Sequence, residues 1–126
     1  MAIIKPFQGI RYNTRVINDV AAVVTPPYDV ISPQDQEGYY QKHPNNIIRI
    51  IYGKTGLNDS PTDDVYTRAA AYLKAWLKRG IFQQIPEPAF FVYFQKFTVP
   101  GTSEVRERKG FVGLGRLEDY SSKVVF

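Results

Sequence analysis

The chain has 126 residues, of which 44% are hydrophobic and 14% aromatic, which suits a single domain with a real core and excludes a largely disordered chain. It contains no cysteine, so a disulfide framework and a thiolate metal site are both excluded. The net charge of +4 comes from 16 basic and 12 acidic residues, and the basic ones are scattered, so nucleic acid is not expected as a partner. No apolar run approaches the roughly 20 residues of a membrane span, and Met1-Ala2-Ile3-Ile4-Lys5-Pro6 lacks a signal peptide's long apolar stretch. A cytoplasmic location is the expectation, with no membrane partner.

Residues 3–7 read as a short first strand, confined to an edge or bulge by Pro6. Residues 9–13 read as a loop, and 21–25 as a second strand stopped by Pro26-Pro27. Ser32 is an N-cap signal, with Pro33 at the first helical position and Asp35 at the reciprocal one, and predicts a helix to about Lys42. Pro44 forbids its continuation. The apolar run Ile47-Ile48-Arg49-Ile50-Ile51-Tyr52 reads as a central strand.

Residues 53–59 read as a polar loop, and Ser60-Pro61-Thr62-Asp63 as a second helix opening. Along that helix Val65, Ala69, Leu73, Trp76 and Leu77 recur at spacings of three and four, and Gly80 suits its end. Past the stiff connector Ile85-Pro86-Glu87-Pro88 the pattern turns to strands. These are an aromatic one over 90–99, a type II turn at Pro100-Gly101, a charged partner over 104–109 and a return over 111–117. Lys123-Val124-Val125-Phe126 reads as the start of another strand, so the expectation is the N-terminal piece of a longer protein. The fold class predicted is α+β, a mixed sheet with about two helices and a β-rich C-terminal third. Residues 1–126 are expected to form one domain.

The candidates for chemistry are few. In Thr25-Pro26-Pro27-Tyr28-Asp29-Val30-Ile31-Ser32 two consecutive prolines fix the backbone, so Asp29 is held with little entropy left to lose. It suits a general base or a metal ligand, or else a stiff corner in which the carboxylate caps nearby amides. Arg49, placed on a buried strand face, needs a carboxylate or a bound anion. Arg11 and Arg116 are similar candidates. His43 is the one histidine, so no two-histidine metal pair can form. The cluster Asp59, Asp63, Asp64 reads as charge at a helix start rather than as a Mg²⁺ site. Gly110-Phe111-Val112-Gly113-Leu114-Gly115 has its glycines in the wrong order for a dinucleotide loop, and no serine or cysteine nucleophile motif occurs.

Three strings together resemble one family. Pro6-Phe7-x-Gly9-x-Arg11-Tyr12-Asn13, then Val24-x-Pro26-Pro27-Tyr28-Asp29-Val30-Ile31-Ser32, then His43-Pro44-x-Asn46-x-Ile48-Arg49 are similar to the opening of the domain of unknown function 1015 family. The motifs Ala70-x-x-Leu73-x-x-Trp76-Leu77 and Arg108-x-Gly110-Phe111 fit as well. The resemblance implies a bacterial or archaeal protein several times longer than this chain. It also implies a later Asp-Gly-His-His-Arg type segment, reminiscent of ParB-like nucleotide-binding domains, some of which transfer phosphate to small molecules. It carries over Pro26, Pro27, Tyr28, Asp29, Asn46 and Arg49 as matching positions without assigned roles.

Two functions follow as expectations. The first is part of a nucleotide- or phosphate-handling enzyme, with ATP or ADP and Mg²⁺ as its cofactors. In it Asp29 is the base or metal ligand, and Arg11, Tyr28, Asn46 and Arg49 contact the substrate. The second is a non-catalytic structural module whose exposed strand near 123–126 pairs with the remainder of its own chain or with another copy.

Overall fold

The computed structural model describes residues 3–119. Among the described residues two strands come first, then three consecutive α-helices, then four more strands, so the α+β expectation holds. The strands form three separate two-stranded sheets. By contacts the chain divides into two compact units, one comprising Ile10–Gln83 and the other the described parts of Met1–Gly9 and Gln84–Phe126. The strand expected at 123–126 lies outside the described residues.

β2 (Ile10–Tyr12) pairs with β3 (Phe82–Gln84), where a loop was expected at 9–13, and all but the last residue of this pair belongs to the first unit. Tyr12 explains the difference. Its ring packs 4.6 Å from Phe82 and 6.4 Å from Trp76, drawing the segment into the core. α1 (Pro33–Lys42) starts where Ser32 and Asp35 predict, and both halves of the capping box are formed. α3 (Val65–Lys78) starts at Asp64, four residues after the predicted cap. The Asp64 carboxylate takes the Tyr66 and Thr67 amides, while Ser60 and Asp63 pair with each other in a turn ahead of it. Gly80 ends α3 at φ +69, a conformation a side chain resists.

Two predicted strands are helical instead. Residues 20–22 form a 3-10 turn capped by Asp19, and Val23 behind it is fully buried. The run 47–52 contains α2 (Ile48–Ile51), which packs against α3. Ile47 donates to the Val23 carbonyl and Ile48 to the Asn46 side chain, which together start a helical turn. The core gathers Ile17, Val23, Trp76, Ile81 and Phe82, flanked by Tyr12, Ile47, Ile50 and Leu73.

In the second unit, β4 (Phe91–Thr98) and β5 (Val105–Val112) make an eight-residue antiparallel hairpin, and β1 (Ile4–Lys5) pairs with β6 (Leu114–Gly115). Gly101, at φ +78, turns the hairpin after Pro100 as expected. The predicted partner over 104–109 and return over 111–117 are one continuous β5 followed by β6. The Tyr93 ring lies over Gly110, opposite it in the hairpin, where a β-carbon would meet the ring at 2.6 Å.

Candidate functional site

The matching residues 43–49 build a hydrogen-bonded joint. The fully buried Asn46 amide donates to the Ala22 carbonyl at 2.8 Å, and its oxygen accepts the Ile48 amide at 3.0 Å. The Tyr12 hydroxyl reaches the Asn45 carbonyl at 2.7 Å and the Val23 carbonyl at 3.2 Å. Burial pushes the Tyr12 phenol well above its ordinary value, partly offset by the Arg49 charge, so it stays a proton donor. The His43 ring nitrogen accepts the Asn45 amide. Asn46 therefore ties the 3-10 turn to α2, with both of its polar ends spent on backbone.

Arg49, now on α2, donates one terminal nitrogen to the His43 carbonyl and the other to the Tyr40 carbonyl, each at 2.9 Å. Its guanidinium also lies 4.6 Å from the Tyr40 ring centroid. Tyr40 sits in the last turn of α1, where carbonyls lack helical partners and attract cations. The need for a partner that the sequence suggested is met here by carbonyls rather than by a carboxylate. Lys54 lies 4.5 Å from the same Tyr40 ring and pairs with Glu37.

Tyr28 and Asp29 occupy an exposed 3-10 turn over Tyr28–Val30, directly after Pro27. Its amides are satisfied by backbone, Val30 to Pro27 and Ile31 to Tyr28. The Asp29 carboxylate makes no hydrogen bond or ion pair among the described residues and caps no amide. Arg11 is exposed on β2 and likewise makes none. No hydrogen bond or ion pair joins Asp29 to Arg49.

What the structure does gather around Tyr28 is a groove of about 460 Å³, lined also by Ile50, Ile51, Tyr52, Gly53, Thr55 and, on α3, Val65, Tyr66 and Ala69. The segment 52–54 beside it is anchored to α1: Gln36 donates to the Tyr52 carbonyl at 2.9 Å, and the Tyr40 hydroxyl accepts the Lys54 amide. A β-carbon at Gly53 would meet the Val65 methyl at 2.7 Å, so glycine lets the loop approach α3. That loop is tied back by Arg68, which holds Asp59, Asp63 and the Lys54 carbonyl. Those bonds lower the Asp59 carboxyl and raise the guanidinium of Arg68, whose largest partner is Asp59. Tyr28 is 63% exposed and Tyr66 79%, both large rings on the groove.

Sequence reasoning found Tyr28 but missed Tyr52 and Tyr66. One signal was present: Tyr66 stands three, seven and eleven residues before Ala69, Leu73 and Leu77, so it extends the apolar stripe of α3 at the helix start, where the ring is left exposed. Among the described residues no cluster of His, Cys, Asp or Glu could hold a metal, and no helix is long and apolar enough to cross a membrane.

Residues 4–126 match the family described as "Protein of unknown function (DUF1015)". The match spans nearly the whole chain, and the protein belongs to that family. Among curated proteins and among solved structures, none matches the chain.

Proposed function

We propose that this chain forms one wall of a binding site for a small ligand with a flat ring, a nucleotide such as ATP or ADP being the class that fits. The supporting observation is the groove of about 460 Å³ bordered by two exposed tyrosine rings, Tyr28 on the proline-fixed turn and Tyr66 on α3. Aromatic faces bind bases by stacking, without demanding a particular base, at about 1–3 kcal/mol per base. Tyr52 and Thr55 add hydroxyls to an otherwise apolar lining.

Asp29, next in sequence to Tyr28 and without a hydrogen-bond or ion-pair partner among the described residues, is the proposed base or Mg²⁺ ligand. One carboxylate suffices for Mg²⁺ only when substrate phosphates complete its shell. Arg49 uses two of its N–H groups on carbonyls, and those remaining are its capacity for an anion. Arg11 is the second proposed anion contact. Asn46 belongs to the fold rather than to the ligand, because both ends of its amide are engaged. The phosphotransfer expected from the ParB-like resemblance belongs to this reading as its catalytic extension.

The experiment is a titration of the protein with ATP, ADP and adenosine, each with and without Mg²⁺, read by thermal shift and tyrosine fluorescence. Binding is expected to weaken about 5- to 100-fold in Tyr28→Ala and in Tyr66→Ala. Asp29→Asn is expected to weaken only the Mg²⁺-dependent part. An unchanged melting profile with all three ligands at millimolar concentration overturns the proposal, as does binding that both tyrosine variants retain in full.

A further inference from the structure

We propose that the outer edge of β5 docks a second copy of this chain, antiparallel, about a two-fold axis through Arg108. The backbone register leads to this. The Val99 amide donates to the Glu104 carbonyl at 2.9 Å, and the hairpin continues from Thr98↔Val105 to Phe91↔Val112. Antiparallel pairs alternate between hydrogen-bonded and non-bonded. Counting from the 99–104 pair, Arg106, Arg108, Gly110 and Val112 turn their amides and carbonyls toward β4. Val105, Glu107, Lys109 and Phe111 turn theirs away.

β6 keeps the same parity, since Leu114 pairs with Lys5 and the Arg116 amide donates to the Ile3 carbonyl. Among the described residues no strand pairs with the opposite edge of β5. An isolated two-stranded hairpin is marginal in water, and an open edge is a template for pairing. This hairpin also leaves Val92, Phe94, Val105 and Phe111 more than half exposed. By register these four share one face with Glu107, Lys109 and Lys96.

Charge and shape select the occupant. The outward residues are the odd-numbered ones, so odd positions must pair with odd. An axis through Glu107 sets Glu107 against itself and Arg106 against Arg108. An axis through Lys109 sets Lys109 against itself, and one through Arg106 leaves Lys109 opposite Ser103. The axis through Arg108 places Glu107 opposite Lys109 of the second copy, twice, and Val105 opposite Phe111, twice. Opposite charges and a β-branched residue facing an aromatic are favourable cross-strand pairs. The single like-charge pair, Arg108 with itself, falls on the other face, where each guanidinium lies 5.6 Å from its own Phe97 ring. The product is a four-stranded antiparallel sheet whose exposed apolar residues form one continuous face.

The test is sedimentation velocity of the 126-residue protein over a range of concentrations at low salt. A concentration-dependent dimer is expected. Glu107→Lys and Lys109→Glu, both at exposed positions, are each expected to weaken it by about tenfold or more, because each sets like charges opposite one another. The double variant carrying both reversals restores opposite charges in the same register, and its dimer is expected to return. Circular dichroism checks that all three variants keep the wild-type fold. A protein that stays monomeric at every concentration overturns the proposal. So does a dimer indifferent to the single reversals, or a double variant that fails to reassociate.

Discussion

A buried side-chain amide survives folding only when its donor and acceptor ends are both used, and Asn46 satisfies that condition with the Ala22 carbonyl and the Ile48 amide. Asn46→Ala leaves both backbone groups unpaired in the core, at about 1–3 kcal/mol for each. Tyr12→Phe removes a hydroxyl from two carbonyls, of which that of Val23 keeps the Ile47 amide, at about 1 kcal/mol. Urea unfolding followed by Trp76 fluorescence is expected to rank them in that order. Equal losses would mean that Asn46 does no more than fill space. The sequence marked Asn46 through a family resemblance alone, because polarity by itself says nothing about burial. Arg49 was marked for a sound reason, an unsatisfied charge near apolar neighbours. Its partners escaped notice because backbone carbonyls at a helix end are acceptors that no residue type announces.

At the scale of the element, α3 depends on the carboxylate that begins it. Amide hydrogen bonds, chiefly from Thr67, hold the Asp64 carboxyl below the ordinary carboxylate range. Its folded-state pKa is therefore depressed. The stabilisation it gives is complete above the unfolded value of about 3.9 and is lost as pH falls through the folded value. Asp64→Asn keeps an amide-accepting cap but cannot titrate. Far-UV ellipticity and thermal midpoints are expected to fall more steeply with acid in the wild type than in this variant. Parallel acid profiles would assign the sensitivity elsewhere.

The same scale shows why some elements were legible. Ser32 with Pro33 and Asp35 is a signal made of geometry, and α1 begins where it directs. The turn at Pro100-Gly101 is another such signal. The run 47–52 carries no such signal: four isoleucines around Arg49 suit a buried strand and a buried helical turn equally. The decision there was taken by the Asn46 side chain and the Val23 carbonyl, one of them 24 residues away in sequence. Tyr28 could be singled out because prolines precede it. The rest of the groove could not, since its lining comes from three separated segments that only folding brings together.

At the scale of the molecule, the buried apolar side chains among the described residues, Ile17, Val23, Ile31, Ile48, Trp76, Ile81 and Phe82, all fall within Ile10–Gln83. The hairpin of the other unit buries none of its described apolar residues. Local stability follows buried contact. Hydrogen exchange in dilute protein is expected to show β4 and β5 amides at least about a hundredfold less protected than those in the middle of α3. Uniform protection across both regions would point to a single cooperative unit. Length and composition gave no hint of this asymmetry, because aromatic residues count equally wherever they land.

Arg68 ties together both ends of the segment that forms one margin of the Tyr28 groove. A guanidinium stays charged at every pH a cell reaches, so this clasp opens only by protonating its aspartates or by flooding it with competing ions. Salt in the solvent therefore weakens the fastening of the loop that carries Thr55, while the apolar part of the groove's lining is indifferent to screening.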